Sequence, residues 1–185
     1  SGATVRKAKR LCAPANTGNN PTAPTDPEHL TAYTIHQTSP RFVRVRDITV
    51  TDQFGVLVVD LVRPDRLLVP TAKSLTGQPA LLTTPTIDHF KCYRVRGRFR
   101  LKGVAVTTQF GPATLDIKRP VHLCAPVDKN GEDVTAPSHA QHLMCYQVRA
   151  RSVAPQAVFT NNQFGPDDFD IFGRRELCVP ATKQL

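Results

Sequence analysis

The chain contains no tryptophan and one methionine, and aromatic residues make up 6% of it. With 40% hydrophobic residues it can build a folded core, but a modest one. No apolar run approaches the ~20 residues of a helical membrane span, which excludes a helical crossing, and no signal peptide is visible. Catalytic signatures are missing too: there is no Gly-x-Ser-x-Gly elbow, no His-Glu-x-x-His, no phosphate-binding glycine-rich loop and no Cys-x-x-Cys pair. These absences leave no catalytic residue to name, no cofactor and no metal ligand set, so the chain reads as a non-enzyme. Acidic residues are outnumbered, 15 Asp and Glu against 24 Lys and Arg, for a net charge of +9. Such an excess suits an acidic partner, with anionic polysaccharide ahead of nucleic acid.

What the chain does have is punctuation and repetition. Sixteen Pro and ten Gly argue for many short strands and turns rather than long helices. One phrase is written three times. It reads Cys92-Tyr93, Gln109-Phe110-Gly111 and Leu123-Cys124-Ala125-Pro126 in its middle copy. It returns as Cys145-Tyr146, Gln163-Phe164-Gly165 and Leu177-Cys178-Val179-Pro180, and an earlier copy has Ala32-Tyr33, Gln53-Phe54-Gly55 and Leu67-Leu68-Val69-Pro70. A repeat decides architecture before anything else does. The fold class expected is all-β: three tandem small β-sandwich or barrel-like modules with a leading half-module, a single closed threefold assembly being the alternative. The modules span 28–71, 88–127 and 141–185, separated by polar linkers at 15–27, 72–87 and 128–140. Residues 1–14 end in Leu11-Cys12-Ala13-Pro14 and match the last two strands of a module whose other strands are absent.

The five cysteines occupy two repeat positions, one before the tyrosine (Cys92, Cys145) and one after the leucine (Cys12, Cys124, Cys178). Joining each Cys-Tyr to the following Leu-Cys gives Cys92–Cys124 and Cys145–Cys178 at nearly equal separations. The copy lacking cysteines then lacks both, at Ala32 and Leu68. Each bridge stabilises by roughly 3–4 kcal/mol in the chain-entropy view. Cys12 is left without a partner, free or intermolecular. Disulfides place the protein in an oxidising compartment, outside the cell or at its surface.

From Tyr93 the sequence alternates, and Arg94, Arg96, Arg98, Arg100 and Lys102 fall on one side. If this is one strand, the row is a guard against edge aggregation or a solvated face, or else a polyanion contact. His29, His89 and His142 recur at one repeat position, which suits a role at the start of a strand. Asp60, Asp116 and Asp170 recur after each Gln-Phe-Gly corner and read as turn or ladder partners of nearby Arg and Lys. Phe159, Phe164, Phe169, Ile171 and Phe172 are the expected core of the third module.

The phrases Asp128-Lys129-Asn130-Gly131-Glu132, His142-Leu143-Met144-Cys145-Tyr146, Asn162-Gln163-Phe164-Gly165 and Leu177-Cys178-Val179-Pro180-Ala181-Thr182-Lys183 resemble a repeat domain of unknown function. That domain occurs in predicted secreted proteins of environmental bacteria, often deltaproteobacterial or myxobacterial. The resemblance implies a bacterial extracellular protein and brings no assigned activity. The function expected is structural: a filament or surface-layer subunit that assembles head to tail with itself, or with another subunit. The edge carrying Thr4, Val5, Arg6 and Leu11 would be completed by an added strand. The alternative is a non-catalytic module that attaches to anionic polysaccharide or a cell surface.

Overall fold

The computed structural model describes residues 2–150 and 154–184. It contains eleven strands: β1 (Gly2–Cys12), β2 (Glu28–Ser39), β3 (Val45–Asp52), β4 (Gly55–Ser74), β5 (Phe90–Arg96), β6 (Leu101–Thr108), β7 (Gly111–Pro126), β8 (His142–Arg149), β9 (Gln156–Asn162), β10 (Gly165–Ile171) and β11 (Glu176–Gln184). The only helical pieces among the described residues are single 3₁₀ turns at Ala23–Thr25 and Ala136–Ser138. The all-β expectation holds. The small sandwich or barrel-like units, however, are joined: strands pair across repeat boundaries into one antiparallel sheet. The physical reason is in the closing strand of each of the first two units, β4 and β7. Each is long enough to pair on one edge with its own Cys-Tyr strand and on the other with that of the next unit. A unit of this size buries too little alone.

The backbone of the architecture is a run of seven strands, β1-β2-β4-β5-β7-β8-β11, each antiparallel to the next. The run curls on itself. One small apolar cluster takes Cys12, Leu30, Leu68, Phe90, Cys124, Cys145 and Cys178 from those seven strands in turn, so it fills the lumen of a barrel. The two disulfides, Cys92–Cys124 and Cys145–Cys178, lie in that lumen and link directly opposed residues of adjacent strands. In the first unit Ala32 opposes Leu68 at the same place, replacing the bridge by an apolar contact.

Hairpins project from this barrel. β3 leads into β4 and β6 into β7 through corners at Gly55 (φ 123°) and Gly111 (φ 88°), where a side chain would be strained. Each hairpin carries a bulge, and the recurring aspartates hold it. Asp60 Oδ1 accepts the Asp47 N–H at 3.2 Å and Asp116 Oδ1 accepts the Gly103 N–H at 3.2 Å, both donors having positive φ. Asp60 and Asp116 also lie opposite Arg96 and Arg149 in the ladders, and Lys118 stands 3.8 Å from Asp116, so these two aspartates are both turn and ladder partners, as expected; Asp170 instead lies opposite Ala157.

The hairpins reach across the ring rather than folding onto their own unit. The end of β4 pairs with β9 of the third unit (Ala72 opposite Asn161), and the end of β11 pairs with β3 of the first (Thr182 opposite Thr51). Tyr33 donates its hydroxyl to Asn162 at 3.2 Å, and Tyr146 donates to Asp52 at 2.5 Å. Phe164 packs edge-on against Tyr33 and Phe54 against Tyr146. Phe164 and Phe54 therefore each reach a tyrosine of the opposite unit, Phe54 while also packing on the main core. The core expected for the third unit moves accordingly. Phe164 and Phe172 are exposed, Phe159, Phe169 and Ile171 half-buried, while Met144, Tyr146, Val148, Val158, Leu177 and Val179 are buried. These last pack against Ile48, Val50, Leu57 and Val59 of the first unit, apart from Val158.

Candidate functional site: an unfilled seam and the charge cluster beside it

Following strand directions around the run, β1 and β11 point the same way, because six antiparallel steps separate them. Seven alternating strands cannot close an antiparallel barrel; an even number is needed. Accordingly β1 is paired only with β2, and no ladder joins β1 to β11 among the described residues. Thr4 lies opposite His36, Val5 opposite Ile35 and Leu11 opposite Thr31, while Arg6 falls in a register shift. One edge of β1 is thus sheltered by its own chain and the other faces the seam. Residues 2–12 form one continuous strand, as Gly111–Pro126 does.

Four side chains at one repeat position converge beside the seam, each just before the recurring leucine: Arg10, Arg66, His122 and Glu176. Arg66 Nη1 donates to Glu176 Oε2 at 2.8 Å, and Arg10 Nη1 approaches the same oxygen at 3.6 Å. His122 Nδ1 meets Glu176 Oε1 at 2.7 Å and His122 Nε2 meets Asp65 Oδ2 at 2.9 Å. Only a doubly protonated ring donates to both. Burial alone would raise the Glu176 carboxyl, but the His122 hydrogen bond and the His122 and Arg66 charges overrule it and hold it at about 2. The His122 hydrogen bond likewise holds Asp65 below the usual carboxylate range. Sequence reasoning missed this cluster. Its members are different residue types at one position, so only aligning the leading strand with the three full copies would have exposed it.

Cys12 is the free cysteine. Desolvation by the surrounding strands, reinforced by the Glu176 carboxylate, pushes its thiol up to about 12. The row Arg94, Arg96, Arg98, Arg100 and Lys102 is exposed, but it is not one strand. β5 ends at Arg96 and β6 begins at Leu101. Gly97 opens the break, at a position with no room for a side chain: a Cβ there would lie 2.8 Å from Val59 Cγ1 and 3.1 Å from Pro120 Cγ. Among the described residues none of the five cations has a carboxylate within ion-pair distance. Tyr93, Val95 and Phe99, on the other side of the row, pack against the main core.

A family model for a repeat of unknown function, DUF7450, matches residues 29–180. The chain belongs to the DUF7450 repeat family. No curated protein and no solved structure matches it. The matched DUF7450 span contains both disulfides and leaves β1 outside it. The possible metal ligands within it are engaged otherwise. Asp88, Asp133 and His139 offer atoms within 4.8 Å of one another, but His139 Nδ1 bonds Asp88 Oδ2 at 2.9 Å and Asp133 Oδ1 accepts from Thr135 at 2.6 Å. Cys145 and Cys178, which lie near Glu176, are consumed in their disulfide.

Proposed function

We propose that this DUF7450 chain is a non-catalytic structural unit that works by strand complementation. A strand from outside residues 1–185 enters the seam between β1 and β11, runs antiparallel to both, and closes the barrel. The single observation that carries the reading is the shared direction of β1 and β11, which no rearrangement of side chains can reconcile. Unpaired strand edges are templates for added strands. The donor is not a Cys-Tyr strand of a second folded copy, since β2, β5 and β8 are each flanked on both edges in their own barrel. Where the donor chain itself carries an open barrel, repetition of the contact gives a head-to-tail filament or surface layer. The two disulfides are compatible with an extracellular setting. No helix among the described residues is long and apolar enough to cross a membrane.

The test is uptake of a strand. A labelled peptide covering residues 88–111 with Cys92→Ser, titrated into the full chain, is expected to bind saturably at one per chain. An absence of saturable binding overturns the reading. A second reading, attachment to anionic polysaccharide, is favoured by the exposed cations Arg94, Arg96, Arg98, Arg100 and Lys102, which have no ion-pair partner among the described residues. It predicts retention on a heparin resin that is lost in the Arg96→Glu, Arg98→Glu double variant.

A further inference from the structure

The contacts that cross the ring obey a rule. Each full unit's hairpin meets the unit two places on, and the corner glutamines of the second and third units meet the histidine of the unit just before, while Gln53 of the first unit accepts from Thr17 and Asn19 of the segment before it. Thr182 opposite Thr51, Ala72 opposite Asn161 and the bridge Asn16 opposite Thr107 are the same pairing made three times, with the leading strand β1 behaving as a unit of its own. The register between neighbouring units repeats as well: Cys12 opposes Leu30 as Cys124 opposes Leu143. A rule of two places on returns to its start only in a ring of four. Three full units and β1 therefore occupy the places of four units, and the fourth is represented by its closing strand alone.

Four vacancies then fall to one element. The first is the place between β11 and β1, where each other closing strand has its own Cys-Tyr strand. The second is the partner of Cys12, whose counterparts Cys124 and Cys178 are bonded to that strand. The third is at His142. His29 Nε2 contacts Gln109, and His89 Nε2 contacts Gln163 at 2.8 Å. The His142 side chain is largely buried, with Nδ1 held 2.9 Å from the Ala140 carbonyl; its Nε2 has no protein partner among the described residues and is open to solvent. The fourth is on the second unit. Tyr93 has no hydroxyl partner among the described residues, whereas Tyr33 and Tyr146 bond across the ring. Likewise β7 stops at Pro126, whereas β4 and β11 run on to Ser74 and Gln184 along the hairpins that pair with them.

We propose that the strand completing the seam is the front half of a fourth DUF7450 unit, a His-x-x-Cys-Tyr strand with its Gln-Phe-Gly hairpin, and that it is locked by a disulfide to Cys12. This rests on the strand-uptake reading and names its partner. The lock forms by thiol–disulfide exchange. The incoming strand's cysteine, carried as a mixed disulfide with glutathione, is attacked at its sulfur by Cys12 after loss of the thiol proton. The new S–S bond forms, and glutathione leaves as its thiolate, taking the bonding pair and later a proton. The corner glutamine of the same unit reaches His142 Nε2, and its hairpin pairs beyond Pro126.

The probe is the chain's own peptide of residues 88–111, which holds one cysteine, Cys92, and one glutamine, Gln109. It is supplied as the glutathione mixed disulfide to the full chain. The expected result is a one-to-one covalent adduct that peptide mapping assigns to Cys92 of the peptide and Cys12 of the chain. It should form about tenfold or more faster than with a scrambled peptide and be lost in Cys12→Ser. Gln109→Ala in the peptide should weaken uptake several-fold in wild-type chain and change little in a His142→Ala chain. A Cys12 that reacts no faster than with the scrambled peptide overturns the inference. In that event, saturable binding of the Cys92→Ser peptide shows that strand uptake stands and only the fourth-unit lock fails; if neither peptide associates, both fail.

Discussion

The first and third units face each other across the ring, and so do the second unit and β1, yet the two pairs differ. In the first pair the tyrosine bonds and the hairpin pairings are reciprocal: Tyr33 to Asn162 and Tyr146 to Asp52, β4 to β9 and β11 to β3. In the second pair the contacts run one way. Asn16 pairs with Thr107 through two backbone hydrogen bonds of 2.8 and 2.9 Å, and nothing among the described residues returns the contact to Tyr93. Tyr33 and Tyr146 are buried accordingly, at 6% and 0% exposed, whereas Tyr93 is only half-buried and leans on Phe42. Cys124 and Cys12 teach the same lesson at one sequence position. Cys124 is buried between strands and bonded; Cys12 is half-buried and free. Local sequence does not separate them, since both sit in Leu-Cys-Ala-Pro. The presence or absence of the neighbouring strand does.

The comparison can be broken most forcefully at the charge cluster, which ties the complete side of the ring to β1. Glu176→Gln removes the carboxylate that Arg66 and His122 share and leaves Asp65 as their one remaining carboxylate in the cluster. It should cost about 3–5 kcal/mol in denaturant unfolding, and a cost below about 1 kcal/mol would show the cluster to be well hydrated. Removing the Cys92–Cys124 bridge by Cys92→Ala with Cys124→Ala should cost about 3–4 kcal/mol, whereas Cys12→Ser should stay within about 0.5 kcal/mol. Equal costs would erase the distinction between the two positions. Gly97→Ala should cost about 1–3 kcal/mol, because the new methyl meets Val59 and Pro120.

The pH dependence sharpens the same point. The Glu176 carboxyl stands at about 2 in the fold against an ordinary 4.5. Its contribution is therefore fully present above pH ~4.5 and is lost as pH falls through about 2. Thermal unfolding followed across that window should show a steeper acid loss for the wild-type chain than for Glu176→Gln. Identical slopes would remove Glu176 from the account.

Much of the fold was legible because the repeat is written in residues with strong backbone consequences. The Gln-Phe-Gly corners placed hairpins through glycine's freedom at positive φ, and the two cysteine positions placed the bridges. What was not legible was how units combine. Strand pairing across repeat boundaries and hairpin reach across the ring are long-range, and nothing in Leu67 or Val59 says which strand will lie beside it. The third-unit phenylalanines looked like core because they are large and apolar; Phe164 and Phe172 remain exposed beside a pairing that ends at β10. The charge cluster was hidden for the opposite reason: Arg10, Arg66, His122 and Glu176 share a position and nothing else.

Hydrogen exchange of the full chain tests the missing strand most directly, by comparing residues 8–12 of β1 with residues 120–124 of β7. The two stretches are the same part of the same strand, one with a neighbour on a single edge and one flanked on both. Exchange is expected to be about tenfold or more faster in 8–12, slowing towards the β7 rate when the 88–111 peptide is bound. Equal protection in the chain alone would contradict it, because a seam without a strand cannot shield those amides.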